Sequence, residues 1–238
     1  MADNRSPLIV DEPSPANHKS VVLLSGGLDS AVLVAYEART RLVHPVYVSA
    51  GLAWETSEIQ AIHRILAAPV FAGRVVPVAR LEFSMRDVYP PSHWAIQGVP
   101  PAYDTPDEDV YLHGRNVALL SKTAVYGMVL KVQRLVIGPL AGNPFPDATP
   151  QFFSAMAHAL SLGLAAPVEI VAPFAGLHKA DVVKLGLELQ VPLDLTLSCM
   201  NPIGPQHCGR CSKCRERHDA FLEAAVPDPT DYASPLPR

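Results

Sequence analysis

Short apolar runs and longer stretches of helical spacing take turns along this chain. Residues 21–24 (VVLL) make a run brief enough for a buried strand, and apolar positions then recur at helical spacing over residues 31–38. The exchange repeats. Residues 44–49 predict a second strand and 56–67 a second helix; 116–130 predict a helix apolar on several sides, 134–138 a strand, 151–162 an amphipathic helix, 168–172 a strand and 179–189 a short helix. Residues 73–78 predict a further strand, which Pro77 confines to a sheet edge or a strand end because proline has no N–H to give to a ladder. Strands alternating with helices in this way predict an α/β fold, a Rossmann-like parallel sheet with helices on both faces.

Three stretches fall outside the pattern. Residues 83–112 carry five prolines and hold no period; a loop of that length in a compact domain is usually functional, and here it is read as a lid over a cleft. Residues 1–20 and 223–238 are rich in proline and polar side chains and are read as loosely ordered tails. Between the tails the chain divides into a main domain, residues 21–198, and an appendage, 199–222.

Composition narrows the function classes. With 238 residues, 49% hydrophobic and 18% charged, the chain has enough apolar material to bury a core and too little net charge for a disordered polymer. Its net charge of −4 supplies no general basic field, so no direct nucleic-acid partner is expected. No apolar stretch reaches the roughly 18 residues that a membrane span needs. The polar N-terminus offers no signal peptide, and a cytoplasmic location is expected.

The chemistry concentrates in two places. The knot SGGLDS, Ser25 to Ser30, sits where a strand ends and a helix begins. Its glycine pair permits a sharp turn that brings backbone N–H groups close to a ligand, and the helix behind it presents its positive end to the same spot, so phosphate is the natural guest. The Ser25 and Ser30 hydroxyls add hydrogen bonds, while Asp29 is placed either to cap the helix or to help hold a magnesium ion. The plainer reading is a well-capped turn that binds nothing. The spacing matches neither the Walker A loop nor the dinucleotide-binding glycine turn.

The second place is the C-terminal appendage. All four cysteines, Cys199, Cys208, Cys211 and Cys214, fall there, in the spacing C-x8-C-x2-C-x2-C. Four thiolates so close repel one another unless a metal gathers them; a closed tetrahedral zinc site leaves no position for water and is therefore structural. The ferredoxin pattern runs on to a fourth cysteine followed by proline, which this chain lacks. His207, beside Cys208, is read as a bystander.

The knot resembles the PP-loop, SGGxDS, of the N-type ATP pyrophosphatases. Joined to the cysteine spacing, to RERHDAF after it, to GRN at residues 114–116, to HKADVVKLGLELQVP at 178–192 and to LTLSC at 195–199, it makes residues 21–221 resemble the QueC family of 7-cyano-7-deazaguanine synthases. The resemblance implies an adenine nucleotide alpha hydrolase-like domain over residues 21–198 and a carbon–nitrogen ligase that uses ATP, Mg2+ and a structural Zn2+. A small carboxylate, 7-carboxy-7-deazaguanine, would be adenylated, converted by ammonia to an amide, adenylated again and released as the nitrile. Ser25, Gly26, Gly27, Leu28, Asp29 and Ser30 would hold the ATP phosphates and metal. Lys179 would neutralise phosphate charge, Arg115 and Asn116 would line the nucleotide or substrate cleft, and Phe145 and Asp147 would face the substrate. A homodimer is compatible with what is typical of such proteins.

The chain departs from the family pattern at two points. Ala148 and Thr149 stand where a Cys-Arg pair is usual, and Trp54 and Glu55 where arginine and histidine are usual, so an arginine able to clamp a carboxylate is missing from the pocket. A second reading follows, a QueC-like paralogue that adenylates a different carboxylate to form an amide, nitrile or conjugate. A third, non-enzymatic reading is a zinc knuckle that binds nucleic acid through Arg210, Lys213, Arg215 and Arg217.

Overall fold

Five strands, Lys19–Leu23 (β1), Leu42–Ser49 (β2), Ala79–Glu82 (β3), Arg134–Val136 (β4) and Glu169–Val171 (β5), pair in parallel in the order β3-β2-β1-β4-β5. The computed structural model describes residues 18–237, so most of the segment read as an N-terminal tail lies outside the described residues. Seven α-helices join and cover the strands: Leu28–Ala38 (α1), Glu55–Leu66 (α2), Trp94–Gln97 (α3), Arg115–Leu130 (α4), Pro150–Leu164 (α5), Lys179–Glu188 (α6) and Ser212–Glu223 (α7). The expected α/β fold is present, with a purely parallel sheet.

Successive residues of a strand point to opposite faces, and β1 shows what this does to the core. Val22 packs with Val32 and Leu33 of α1, Ile62 of α2 and Val182 and Val183 of α6, whereas Val21 packs with Val46, Leu135 and Ala124 of α4. Both residues are fully buried. A strand covered on both sides has no polar face, which is why residues 21–24 read as an unbroken apolar run.

The third strand lies later than expected. In residues 73–78 only Val75 bridges, to Val43, and regular pairing begins past Pro77, where Ala79 stands opposite Val46. The edge position was legible; the pairing register was not. Residues 83–112, read above as a lid, are partly ordered into the fold: Met85, Tyr89, Ala95, Val110 and Leu112 are buried, α3 lies within them, and Trp94, Asp107 and Tyr111 line the cleft described below.

The closing residues, read above as a loose tail, pack back instead. The His207 amide donates to Asp231 O at 2.9 Å and the Ala233 amide to His207 O at 2.8 Å, while Val226, Tyr232 and Leu236 lie against the main core. Proline content suggested disorder, yet proline also stiffens an extended segment by removing conformations from the unfolded chain.

Arg217 of α7 ties these parts together. Its guanidinium, fully buried, donates to Leu193 O at 2.7 Å, to Thr196 Oγ1 at 2.8 Å and to Thr230 Oγ1 at 2.5 Å, and it lies 5.3 Å from the Phe221 ring centre. A side chain so enclosed has nothing to offer a nucleic acid, which removes Arg217 from the third reading. Arg215 donates to Thr105 O, and Lys213 is ion-paired with Asp107 and Glu216. Truncation of a buried, multiply bonded cation leaves its partners unsatisfied: Arg217→Ala is expected to cost about 3 kcal/mol of stability, read from urea unfolding midpoints, against less than about 1 kcal/mol for Arg215→Ala.

Candidate active site

The order β3-β2-β1-β4-β5 makes the chain leave β1 and β4 toward opposite sides of the sheet. A crevice opens at the carboxyl ends of the two strands, where ligands bind in doubly wound folds. A cleft of about 630 Å3 lies there, lined by Ser25, Gly27, Leu28, Asp29 and Ser30 after β1, by residues 138–145 after β4, and by Arg115, Lys179 and the first turns of α7.

The knot after β1 is shaped by its own side chains. Ser25 Oγ and Ser30 Oγ stand 3.1 Å apart, Ser30 Oγ donates to Gly27 O at 3.0 Å, and the Gly27 amide donates to Ser25 Oγ at 3.3 Å. Gly26 has φ of +81°, and a Cβ there would lie 2.9 Å from Glu58 O, so two constraints require glycine. Gly27 caps α1 with no side-chain hydrogen bond to the first turn, which leaves orphan N–H groups at the positive end of the helix. The Leu28 side chain is buried in the core, so only its backbone can serve a ligand. Asp29 does not cap the helix.

Asp29 pairs instead with Lys179, Oδ2 to Nζ at 3.2 Å. The same ammonium meets Glu216 Oε1 at 2.5 Å; Glu216 Oε2 meets Lys213 Nζ at 2.5 Å, and Lys213 reaches Asp107 at 3.3 Å. Five alternating charges thus connect α1, α6, α7 and the turn at Asp107–Val110. Burial alone would lower the Lys179 pKa, but Asp29 and Glu216 outweigh it and hold the ammonium above its usual value. Burial likewise works against the Glu216 anion, and Lys179 and Lys213 override it, down to about 2. Sequence reading singled out Lys179 but missed Glu216, since nothing in RERHDAF marks one charge as facing a cleft.

Farther along the wall, Glu58 is the buried carboxylate that sequence reading also missed. Tyr47 Oη donates to it at 2.7 Å and Trp54 Nε1 at 3.1 Å, and Trp54 stacks on Trp94 of α3 with ring centres 5.7 Å apart. Burial pushes its pKa up to about 7 despite the nearby Arg115 guanidinium and the two donors. Among the described residues Arg115 makes no side-chain pair, and its Nε is buried without a partner, as is Asp29 Oδ1. Asn116 and Asp147 hold each other: the Asn116 amide N–H donates to Oδ2 at 3.1 Å and Nδ2 to Asp147 O at 3.0 Å. Phe145 stacks on Tyr111 at 5.1 Å. The structure therefore brings Arg115, Asn116, Phe145 and Asp147 to the same cleft as the knot and Lys179.

The substituted positions do scaffold work. Glu55 accepts from Ser49 Oγ and the Ala50 amide, both at 2.6 Å, fixing the turn after β2. Thr149 Oγ1 caps α5 by accepting from the Phe152 amide at 3.1 Å, and Ala148 lies in a small core with Leu120, Ile137 and Phe153.

The four cysteines meet at the start of α7. Their sulfurs all lie within 4.8 Å of one another, with 3.9 Å between Cys199 and Cys211, 3.9 Å between Cys208 and Cys214 and 3.5 Å between Cys211 and Cys214. One ion bound at about 2.3 Å to each of four tetrahedral sulfurs would space them by about 3.8 Å. The cluster therefore fits one metal ion better than an iron–sulfur cage, whose irons each take a different thiolate. Amides of Asn201 and Cys208 point at Cys199 Sγ, both at 3.3 Å, as donors to a thiolate do. His207 stays outside the set, its Nε2 accepting from the Ser198 amide at 3.0 Å.

Comparison with known proteins gives consistent matches. The family described as "Queuosine biosynthesis protein QueC" matches residues 19–225. The 7-cyano-7-deazaguanine synthase of Methanothrix thermoacetophila is 34% identical over 230 residues, covering 90% of this chain and 98% of that one. Those of Methanopyrus kandleri, 33% over 239 residues, and Xanthomonas campestris pv. campestris, 36% over 225 residues, cover the same shares. Among the described residues no helix is long and apolar enough to cross a membrane.

The raised pKa of Glu58 gives a signed expectation. Because the folded state holds its proton up to about pH 7 and the unfolded chain only to about 4.5, Glu58 contributes stability below pH 4.5 that is lost as pH rises through 7. The stability of the parent protein minus that of Glu58→Gln is expected to fall by about 2 kcal/mol between pH 5 and pH 8, measured by urea unfolding at each pH.

Proposed function

This chain belongs to the QueC family, and from that membership we propose that it converts 7-carboxy-7-deazaguanine, ammonia and ATP to 7-cyano-7-deazaguanine for queuosine-type tRNA modification. The observation that carries this reading is the meeting, in one cleft, of a helix N-terminus without a side-chain cap after SGGLDS, an ammonium from Lys179 and a guanidinium from Arg115 that has no partner among the described residues. Buried polar atoms without partners are rare in folded proteins, and Asp29 Oδ1 and Arg115 Nε are both of this kind. A phosphate or carboxylate of a ligand would accept from Arg115 Nε, and a cation beside that ligand would satisfy Asp29 Oδ1.

A carboxylate is a poor electrophile. ATP supplies the remedy: transfer of AMP to a carboxylate oxygen makes that oxygen part of a leaving group, first for attack by ammonia and then, from the amide, for loss to the nitrile. Both carboxylate oxygens leave on AMP, with pyrophosphate released in each round.

In this reading the backbone N–H groups of residues 28–30 receive the phosphates, and Asp29 is the side chain suited to a magnesium ion beside them. Lys179 has three N–H donors, of which Asp29 and Glu216 take two; the third is left for phosphate. Arg115 is the cation suited to the substrate carboxylate or to charge developing on it, because its planar fork matches a carboxylate geometrically. It would stand in for the arginine missing after β2. The four cysteines would hold a structural zinc ion.

A second reading, a paralogue acting on another carboxylate, draws its support from Trp54, which replaces a polar residue of the family pattern and lines the cleft.

Purified protein incubated with ATP, magnesium, ammonium and 7-carboxy-7-deazaguanine is expected to yield the nitrile and AMP by mass spectrometry. AMP only with a different carboxylate would move the conclusion to the paralogue. Lys179→Met is expected to lower kcat/KM about 100-fold while the protein remains folded. Metal analysis is expected to find one zinc per chain, and Cys211→Ser to lose it together with a fall in thermal midpoint.

A further inference from the structure

The four-cysteine element looks remote from the chemistry, yet α7 grows directly out of it. Cys211 caps the helix and Cys214 lies in its first turn. Glu216, two residues farther on, lines the cleft. A metal gripping Cys211 and Cys214 therefore sets both the position and the rotation of the helix that carries Glu216.

Lys179 is the group this matters to. Its backbone is fixed at the start of α6, but its head rides on a flexible four-carbon stem, and only contacts at the far end decide where the charge sits. Two are present: Asp29 from the nucleotide loop at 3.2 Å and Glu216 at 2.5 Å. Glu216 is in turn steadied by Lys213 at 2.5 Å, and Lys213 by Asp107 at 3.3 Å. The Lys179 side chain is 14% exposed, so water screens these pairs only in part.

We propose that Glu216 is a positioning residue for Lys179, through which the four-cysteine element holds the phosphate-binding ammonium in place, so that metal binding and nucleotide binding favour one another. The inference rests on the nucleotide-binding reading above. Coupling between two ligands is reciprocal: if the metal orders Lys179 for a phosphate, a phosphate on Lys179 secures the metal by the same factor.

The test follows the metal rather than the reaction. Zinc-loaded protein is challenged with a colorimetric chelator, with and without the non-hydrolysable analogue α,β-methylene-ATP at concentrations that calorimetry shows to saturate each variant. In the parent protein the analogue is expected to raise about tenfold the chelator concentration that removes half the zinc at equilibrium. In Glu216→Gln, which keeps the side-chain shape but removes the charge, protection should disappear although the analogue still binds. Should that variant not fold, Lys179→Met breaks the same link from the other side and should also lose protection. Protection that persists in the saturated Glu216→Gln protein, or in Lys179→Met, overturns the proposal, as does its absence in a parent protein that binds the analogue. A parent protein that binds no analogue fails at the calorimetry, which marks the nucleotide-binding reading itself as the fault.

Discussion

At the carboxyl ends of β1 and β4 the chain turns away from the sheet in opposite directions, and no strand residue can fill the crevice this leaves. Loops and helix ends from elsewhere must close it. They do so with charge: Asp29, Lys179, Glu216, Lys213 and Asp107 alternate in sign from the knot after β1, across α6 and α7, to the last part of the long 83–112 segment. Apolar side chains would have closed the crevice more cheaply but sealed it. Ion pairs with hydrogen bonds to spare leave a polar wall, and each charge drawn from water has an opposite charge beside it, the condition under which burial of ions is tolerable.

That arrangement explains which features were legible in the sequence. Residues 21–24 had to be apolar throughout because both faces of β1 are covered, and SGGLDS had to carry glycine at Gly26 because Glu58 O leaves no room for a Cβ. The cysteine spacing likewise reflects a local constraint, four sulfurs on one short stretch. Such constraints act between neighbours in sequence and leave a local signature. Glu216 and Arg217 answer to partners tens of residues away: Lys179 is 37 residues from Glu216 and Leu193 is 24 from Arg217. Glu58 has nearer donors, Tyr47 and Trp54, but only the packing of β2 against α2 brings them to it. In a window of sequence all three look like ordinary surface charges. The same holds for residues 223–237, whose order depends on His207 and Arg217 rather than on any pattern of their own.

The register of β3 failed for a different reason. Residues 73–78 have strand-like composition, and Val75 does bridge to Val43, but Pro77 interrupts donation and the ladder restarts at Ala79. Composition located the edge of the sheet; only the partner strand decides which residues pair.

The departures from the family pattern look, in sequence, like losses at the pocket. In three dimensions Glu55 fixes the turn after β2, Thr149 caps α5 and Ala148 fills a small core, so three of the four substituted positions are committed to the scaffold. Trp54 alone of the four lines the cleft, and it does two things there, donating to Glu58 and offering a stacked indole surface with Trp94. The indole satisfies one oxygen of Glu58 with a neutral donor, while the Arg115 guanidinium lies near enough to favour the Glu58 anion. On the proposed reading the positive charge for an anionic substrate comes from Arg115 at the start of α4 rather than from the turn after β2, while Tyr47 and Trp54 satisfy the Glu58 oxygens.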